Sequence, residues 1–147
     1  MEMLANLPEL QMLNIASNRG ISGIQLKKDW EAFIDGLSGP KIQVIYMGYN
    51  NLEEFPKHED LKKMVRLGML DCVHNKVKKV HPFGKEINFT KLYLDYNEIT
   101  EIPHAEDGYF FGYSDVETFT CTHNKITTFP DIFNAKSVYI MGSLDFS

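Results

Sequence analysis

Phe89-Thr-Lys-Leu92-Tyr-Leu94-Asp-Tyr-Asn97-Glu-Ile99-Thr-Glu-Ile102-Pro103 is the stretch on which the reading of this chain turns. Apolar residues stand at Phe89, Leu92 and Leu94, and an asparagine closes the run. Two more apolar residues follow two and five places later, before a proline. The frame recurs in Leu10-Gln-Met-Leu13-Asn-Ile15-Ala-Ser-Asn18, Ile42-Gln-Val-Ile45-Tyr-Met47-Gly-Tyr-Asn50, Leu67-Gly-Met-Leu70-Asp-Cys72-Val-His-Asn75 and Val116-Glu-Thr-Phe119-Thr-Cys121-Thr-His-Asn124. Each reads L-x-x-L-x-L-x-x-N, with Ile, Val, Met, Phe or Cys standing for Leu. The apolar pair after the asparagine is Leu52 and Phe55, Val77 and Val80, Ile99 and Ile102, or Ile126 and Phe129, and Pro56, Pro103 and Pro130 follow three of these pairs. The first copy departs, because Arg19-Gly20 pushes Ile21 and Ile24 one place on. The asparagines are 32, 25, 22 and 27 residues apart. All but the first interval fall within the ~20–29 residues of a short solenoid repeat.

This frame resembles that of the leucine-rich repeat family over nearly the whole chain. The N-x-I-x-x-I-P ending and the uneven spacing resemble surface and secreted repeat proteins of gut bacteria of the Bacteroides group. The resemblance implies an α/β repeat solenoid. Short parallel strands would line its concave side, with helical, 3-10 or irregular returns on the convex side. It also implies an extracellular or cell-surface setting and a binding role, without a cofactor.

The physics of the pattern points to the same architecture. Alternation places Leu13 and Ile15, or Leu92 and Leu94, on one face of a short strand. One such strand cannot bury that face alone, but stacked copies share a continuous core. Asn18, Asn50, Asn75, Asn97 and Asn124 then form a structural ladder. Each side chain offers donors and an acceptor to backbone groups that an inward turn would otherwise bury unpaired.

Returns between copies are read from helical spacing. Residues 27–37, with Trp30, Phe33, Ile34 and Leu37, predict a helix stopped by Gly39-Pro40, which accounts for the long first interval. His58 to Met64 predicts one or two helical turns, Phe83 and Ile87 a tighter return, and Asp131 to Phe133 a short turn. The aromatic run Tyr109-Phe-Phe111-Gly-Tyr113 is either packing or a contact patch. Met141-Gly-Ser-Leu144-Asp-Phe146 is read as a partial sixth copy. The organisation expected is one domain over residues 1–147, five full repeats and part of a sixth, cut from a longer protein. Uncapped ends of such a piece favour self-association.

Residues flanking each L-x-L point to the concave surface. Tyr46, Tyr49, Asp71, His74, Tyr93, Asp95, Tyr96 and His123 gather there on the middle strands and form the candidate binding face. Tyrosine combines large contact area with a polar tip, which suits it to interfaces. A solvated sheet face is the plain alternative, since tyrosine also favours strands.

Other chemistries are argued down. His74 and His123 share a repeat position two strands apart, about 9–10 Å, with Tyr96 between them, too far to share one metal ion. Cys72 and Cys121 are separated in the same way, beyond disulfide reach, and are read as reduced core residues. No nucleophile elbow, phosphate loop or HExxH motif is present, so the chain is not read as an enzyme. The 147 residues carry a net charge of −5 and are 44% hydrophobic, which suits one folded domain and argues against a nucleic-acid partner. Apolar runs are too short for a membrane span, and Met1-Glu2-Met3-Leu4 does not start a signal peptide. Residues 57–91 have a net charge of +5 and residues 92–147 one of −7. Lys76, Lys78 and Lys79 fall on the outgoing turn, as a solvated rim. The reading is a non-catalytic module that binds a protein partner through a tyrosine-rich concave face. A structural spacer in a larger surface protein and a carbohydrate-binding surface are the alternatives.

Overall fold

The computed structural model describes residues 7, 9–19, 41–82, 87, 89–103, 116–128 and 138–139. Strands β1 (Met12–Asn14), β2 (Val44–Tyr46), β3 (Met69–Asp71), β4 (Lys91–Tyr93), β5 (Thr118–Thr120) and β6 (Val138–Tyr139) form one sheet. Every neighbouring pair is parallel and follows chain order. Strands of two or three residues have no stability of their own. Their order comes from stacking, which brings Leu13, Ile45, Leu70, Leu92, Phe119 and Val138 into one row. The first five of these side chains are buried, while the residues on either side of each lie half or fully open. That alternation is the pleat seen in the sequence as L-x-L.

Behind the sheet the core is built in further rows. Met47, Cys72, Leu94 and Cys121 form one, and Leu52, Val77, Ile99 and Ile126 another. Phe55, Val80 and Ile102 close the far side, and Ile42, Leu67, Phe89 and Val116 fill the approach to each strand. One helical turn, α1 (His58–Leu61), follows the second repeat and buries Leu61, with Met64 buried just beyond it. Both cysteines are buried thiols. Desolvation pushes the Cys121 thiol up to about 12 and the Cys72 thiol well above its usual range, so neither is a thiolate near neutrality.

One sequence reading needs correcting. β6 pairs Phe119 with Val138 and Thr120 with Tyr139, so the sixth copy begins near Ala135 and not at Met141. Its phase is Ala135-Lys-Ser-Val138-Tyr-Ile140, which puts Ser143 where the other copies have asparagine. Leu144 and Phe146, read as its core, lie outside the described residues. So do the helix expected over residues 27–37, Phe83, the Tyr109–Tyr113 run and the turn at 131–133.

Candidate binding face

Each asparagine of the ladder ties two copies together. Asn75 donates from Nδ2 to the carbonyls of Cys72 at 3.0 Å and Met47 at 3.0 Å, while its Oδ1 accepts Leu52 N–H at 3.1 Å. Asn97 repeats this on Leu94, Cys72 and Val77 N–H. Asn124 repeats it on Cys121, Leu94 and Ile99 N–H. These side chains and that of Asn50 are 3–8% exposed. Asn50 differs in one bond: its Oδ1 accepts Asn18 N–H at 2.7 Å, in place of the N–H two residues further on. The extra residue at Arg19-Gly20 lies at that point. Asn18 is exposed and satisfies its own turn through the carbonyls of Ile15 and Ala16.

The residue before each asparagine is forced into the left-handed region. Ser17, Tyr49, His74, Tyr96 and His123 have φ of 63°, 56°, 51°, 56° and 53°. Such backbone costs an L-residue roughly 1–2 kcal/mol. Here it is held by bonds to the next copy, from Tyr49 N–H to the Val73 carbonyl, His74 N–H to Asp95 and Tyr96 N–H to Thr122. The shared conformation stacks the side chains into a column. Ring centroids are 4.3 Å apart for Tyr49 and His74, 4.1 Å for His74 and Tyr96, and 4.2 Å for Tyr96 and His123, with planes within 17° of parallel. Arg19 covers the free end at 5.8 Å from the Tyr49 ring centroid. Tyr49 and Tyr96 remain substantially exposed at their edges.

The strands themselves carry a different row. Cα register sets Asn14, Tyr46, Asp71, Tyr93, Thr120 and Tyr139 side by side. The candidate residues therefore fall into two groups. Tyr46, Asp71 and Tyr93 lie in the strand row, and Tyr49, His74, Tyr96 and His123 in the column. Asp95 sits between them as a clamp on β5. Its Oδ1 accepts Thr122 N–H and Thr122 Oγ1–H, each at 2.6 Å, and its Oδ2 accepts from Thr120 Oγ1. Asp71 Oδ1 accepts Val73 N–H at 3.0 Å. Burial raises the Asp71 pKa above the usual carboxylate value; Asp95 adds to the rise, and the Val73 bond and His74 oppose it.

A third row was not foreseen. Met12, Val44, Met69, Lys91 and Thr118 open each strand in register. Met12, Val44 and Met69, with Ala16, Gly48 and Val73, make this row and its surroundings apolar on the β1–β3 side, whereas Lys91, Thr118, Thr120 and Thr122 make the β4–β5 side polar. Gly48 sits at a close approach, since a Cβ there would stand 3.0 Å from Val73 Cγ2 and 3.2 Å from the Val73 carbonyl oxygen. Among the described residues, no group of three or more His, Cys, Asp or Glu side chains could hold a metal ion. No helix among them is long and apolar enough to cross a membrane.

The same architecture occurs in solved proteins. A leucine-rich repeat protein from Bacteroides thetaiotaomicron is 55% identical, with a TM-score of 0.76 over 99% of this chain. One from Bacteroides eggerthii is 51% identical, with a TM-score of 0.75 over 98%. Rat (Rattus norvegicus) lumican is 32% identical over 126 residues, or 85% of this chain. These likenesses support the leucine-rich repeat family. No protein-family model matches the chain. The chain spans 33% of rat lumican and 17% and 23% of the two Bacteroides proteins.

Proposed function

We propose that the chain is a non-catalytic leucine-rich repeat module that binds a protein partner through its strand face and the adjoining aromatic column, in an extracellular or cell-surface setting. The observation that carries this reading is the contrast between frame and surface. The rows beneath the sheet are filled by interchangeable apolar residues. Above it, Met12, Val44, Met69, Tyr46 and Tyr93 leave large side chains half or fully open to solvent, the composition of a recognition surface. The support from relatives is that of likeness to repeat proteins.

Carbohydrate binding draws less support from the geometry. A sugar platform needs an open ring face, yet Tyr96 has a histidine stacked on each face, and Tyr49 lies between His74 and Arg19. The spacer reading is separated by experiment. Random peptides displayed on phage are selected on the immobilised chain and remeasured on a Tyr46→Ala, Tyr93→Ala double variant. A binding face predicts selected peptides whose affinity falls at least tenfold on the variant while its thermal midpoint holds, since anchor residues contribute about 2 kcal/mol or more each. An empty selection, or affinity unchanged by the variant, overturns the reading.

A further inference from the structure

We infer that Asp71, set between Tyr46 and Tyr93, is the receptor for a guanidinium side chain of the protein partner. This rests on the strand face being the binding surface and adds the chemistry of what docks there. The register makes Tyr46 and Tyr93 the two cross-strand neighbours of Asp71. All three are half-buried, so a carboxylate stands between two aromatic residues whose strands run about 4.8 Å away on either side.

The repeat contains its own control for what Asp71 does structurally. Asn14 occupies the same row, and its Oδ1 accepts Ala16 N–H at 3.0 Å. Asp71 Oδ1 accepts Val73 N–H at the same distance. A neutral amide therefore does the structural work in the first copy, and the charge at residue 71 is surplus to it. Asp71 Oδ2 has no partner among the described residues. Asp95 differs in this respect, with both its oxygens taken by Thr120 and Thr122. Lys91, the cation on the described strands, forms no ion pair among the described residues. Burial and the charge of Asp95 disfavour the Asp71 carboxylate, the Val73 bond and His74 offset this in part, and no Lys or Arg pairs with it among the described residues. A docked cation would compensate it.

A guanidinium fits the surroundings better than a compact ammonium. It is planar, donates in-plane to a carboxylate oxygen and packs its faces on aromatic rings. Charge-assisted bonds of this kind are about twice as strong as neutral ones. Gly48 lies against Asp71 Oδ1 with no side chain to shield the carboxylate; a Cβ there would stand 3.4 Å from that oxygen.

The test is a titration of the isotopically labelled chain at pH 7.5 with acetyl-arginine amide, followed by amide and tyrosine-ring NMR signals. Acetyl-citrulline amide, the neutral isostere, is the comparison probe, and Asp71→Asn the comparison protein. The expected result is saturable shifts at Val73 N–H and the Tyr46 and Tyr93 rings with arginine. They should weaken at least tenfold with citrulline, and equally in Asp71→Asn at an unchanged or higher thermal midpoint. Equal response to both probes, response surviving in Asp71→Asn, shifts centred on Thr122, or no response overturns the inference. The peptide selection keeps the two readings apart. Tyr46- and Tyr93-dependent peptides that lack arginine and bind Asp71→Asn normally would leave the binding face standing and remove the guanidinium site.

Discussion

The asparagine ladder and the aromatic column are one residue apart in every repeat, and they are periodic for opposite reasons. Asn75 is almost wholly buried and joins backbone groups of two copies. His74 is partly open and meets its neighbours by ring faces. The first row holds asparagine in all five full copies, because the turn there needs two N–H donations and one acceptor from a single short side chain. The second admits Ser, Tyr and His, because its shared feature is a left-handed backbone that the next copy holds in place. A solenoid can thus keep its asparagine ladder fixed while the adjacent residue is free to change.

Asn97→Ala should show the largest effect of any single change considered. It strands Val77 N–H and takes one of two donors from the carbonyls of Cys72 and Leu94, which keep the bonds from Asn75 and Asn124. At roughly 1–3 kcal/mol for one buried unsatisfied donor, with two further bonds lost, a loss of about 2–3 kcal/mol is expected in urea denaturation. Asn18→Ala, at the exposed end of the same ladder, should cost under about 1 kcal/mol. Equal losses at the two positions would mean that burial is not what gives the ladder its weight.

This contrast also explains what could be read from sequence. Leu92, Leu94 and Asn97 announce the fold because each has few substitutes, so their phase survives in five copies. The sixth copy was misplaced where that constraint fails. Ser143 stands in the asparagine position, and Met141, Leu144 and Phe146 offer a second apolar phase with nothing to reject it. The column positions were legible, but their stacking was not, since it depends on the positive φ values. The Asp95 clamp escaped notice although its signal was present: an aspartate faces threonines at 120 and 122 one copy later. The apolar row of Met12, Val44 and Met69 was passed over because it precedes the motif's second leucine.

A second substitution probes the packing between the two rows. Gly48→Ala forces a methyl against Val73 Cγ2 and the Val73 carbonyl, and overpacking of this sort costs about 1–3 kcal/mol. Tyr96 then tests the column. Truncation to alanine removes contacts with His74 and His123, each worth about 0.5–1.5 kcal/mol. Tyr96→Gly removes the same contacts but relieves the left-handed strain, so it should be more stable than Tyr96→Ala by up to about 1 kcal/mol. If alanine proves the better residue, the φ of 56° at this position is not a source of strain.

The smallest effect separates the strand row from both. Asp71 has its pKa raised in the folded chain, chiefly by burial. The folded state therefore binds this proton more tightly than the unfolded state, and stability from this group falls as pH rises through the carboxylate range. Above that range the charged side chain is a net cost, which Asp71→Asn removes while Val73 N–H keeps an acceptor, as Ala16 N–H does at Asn14. The variant should be slightly more stable than wild type at pH 7, and the gap should close as pH is lowered and Asp71 takes up its proton. Urea denaturation of both proteins at pH 7 and pH 3 measures this directly. A variant less stable at pH 7 would show that the carboxylate strengthens the Val73 bond by more than its burial costs. The charge at residue 71 would then belong to the frame, as Asn75 does, and not to the surface.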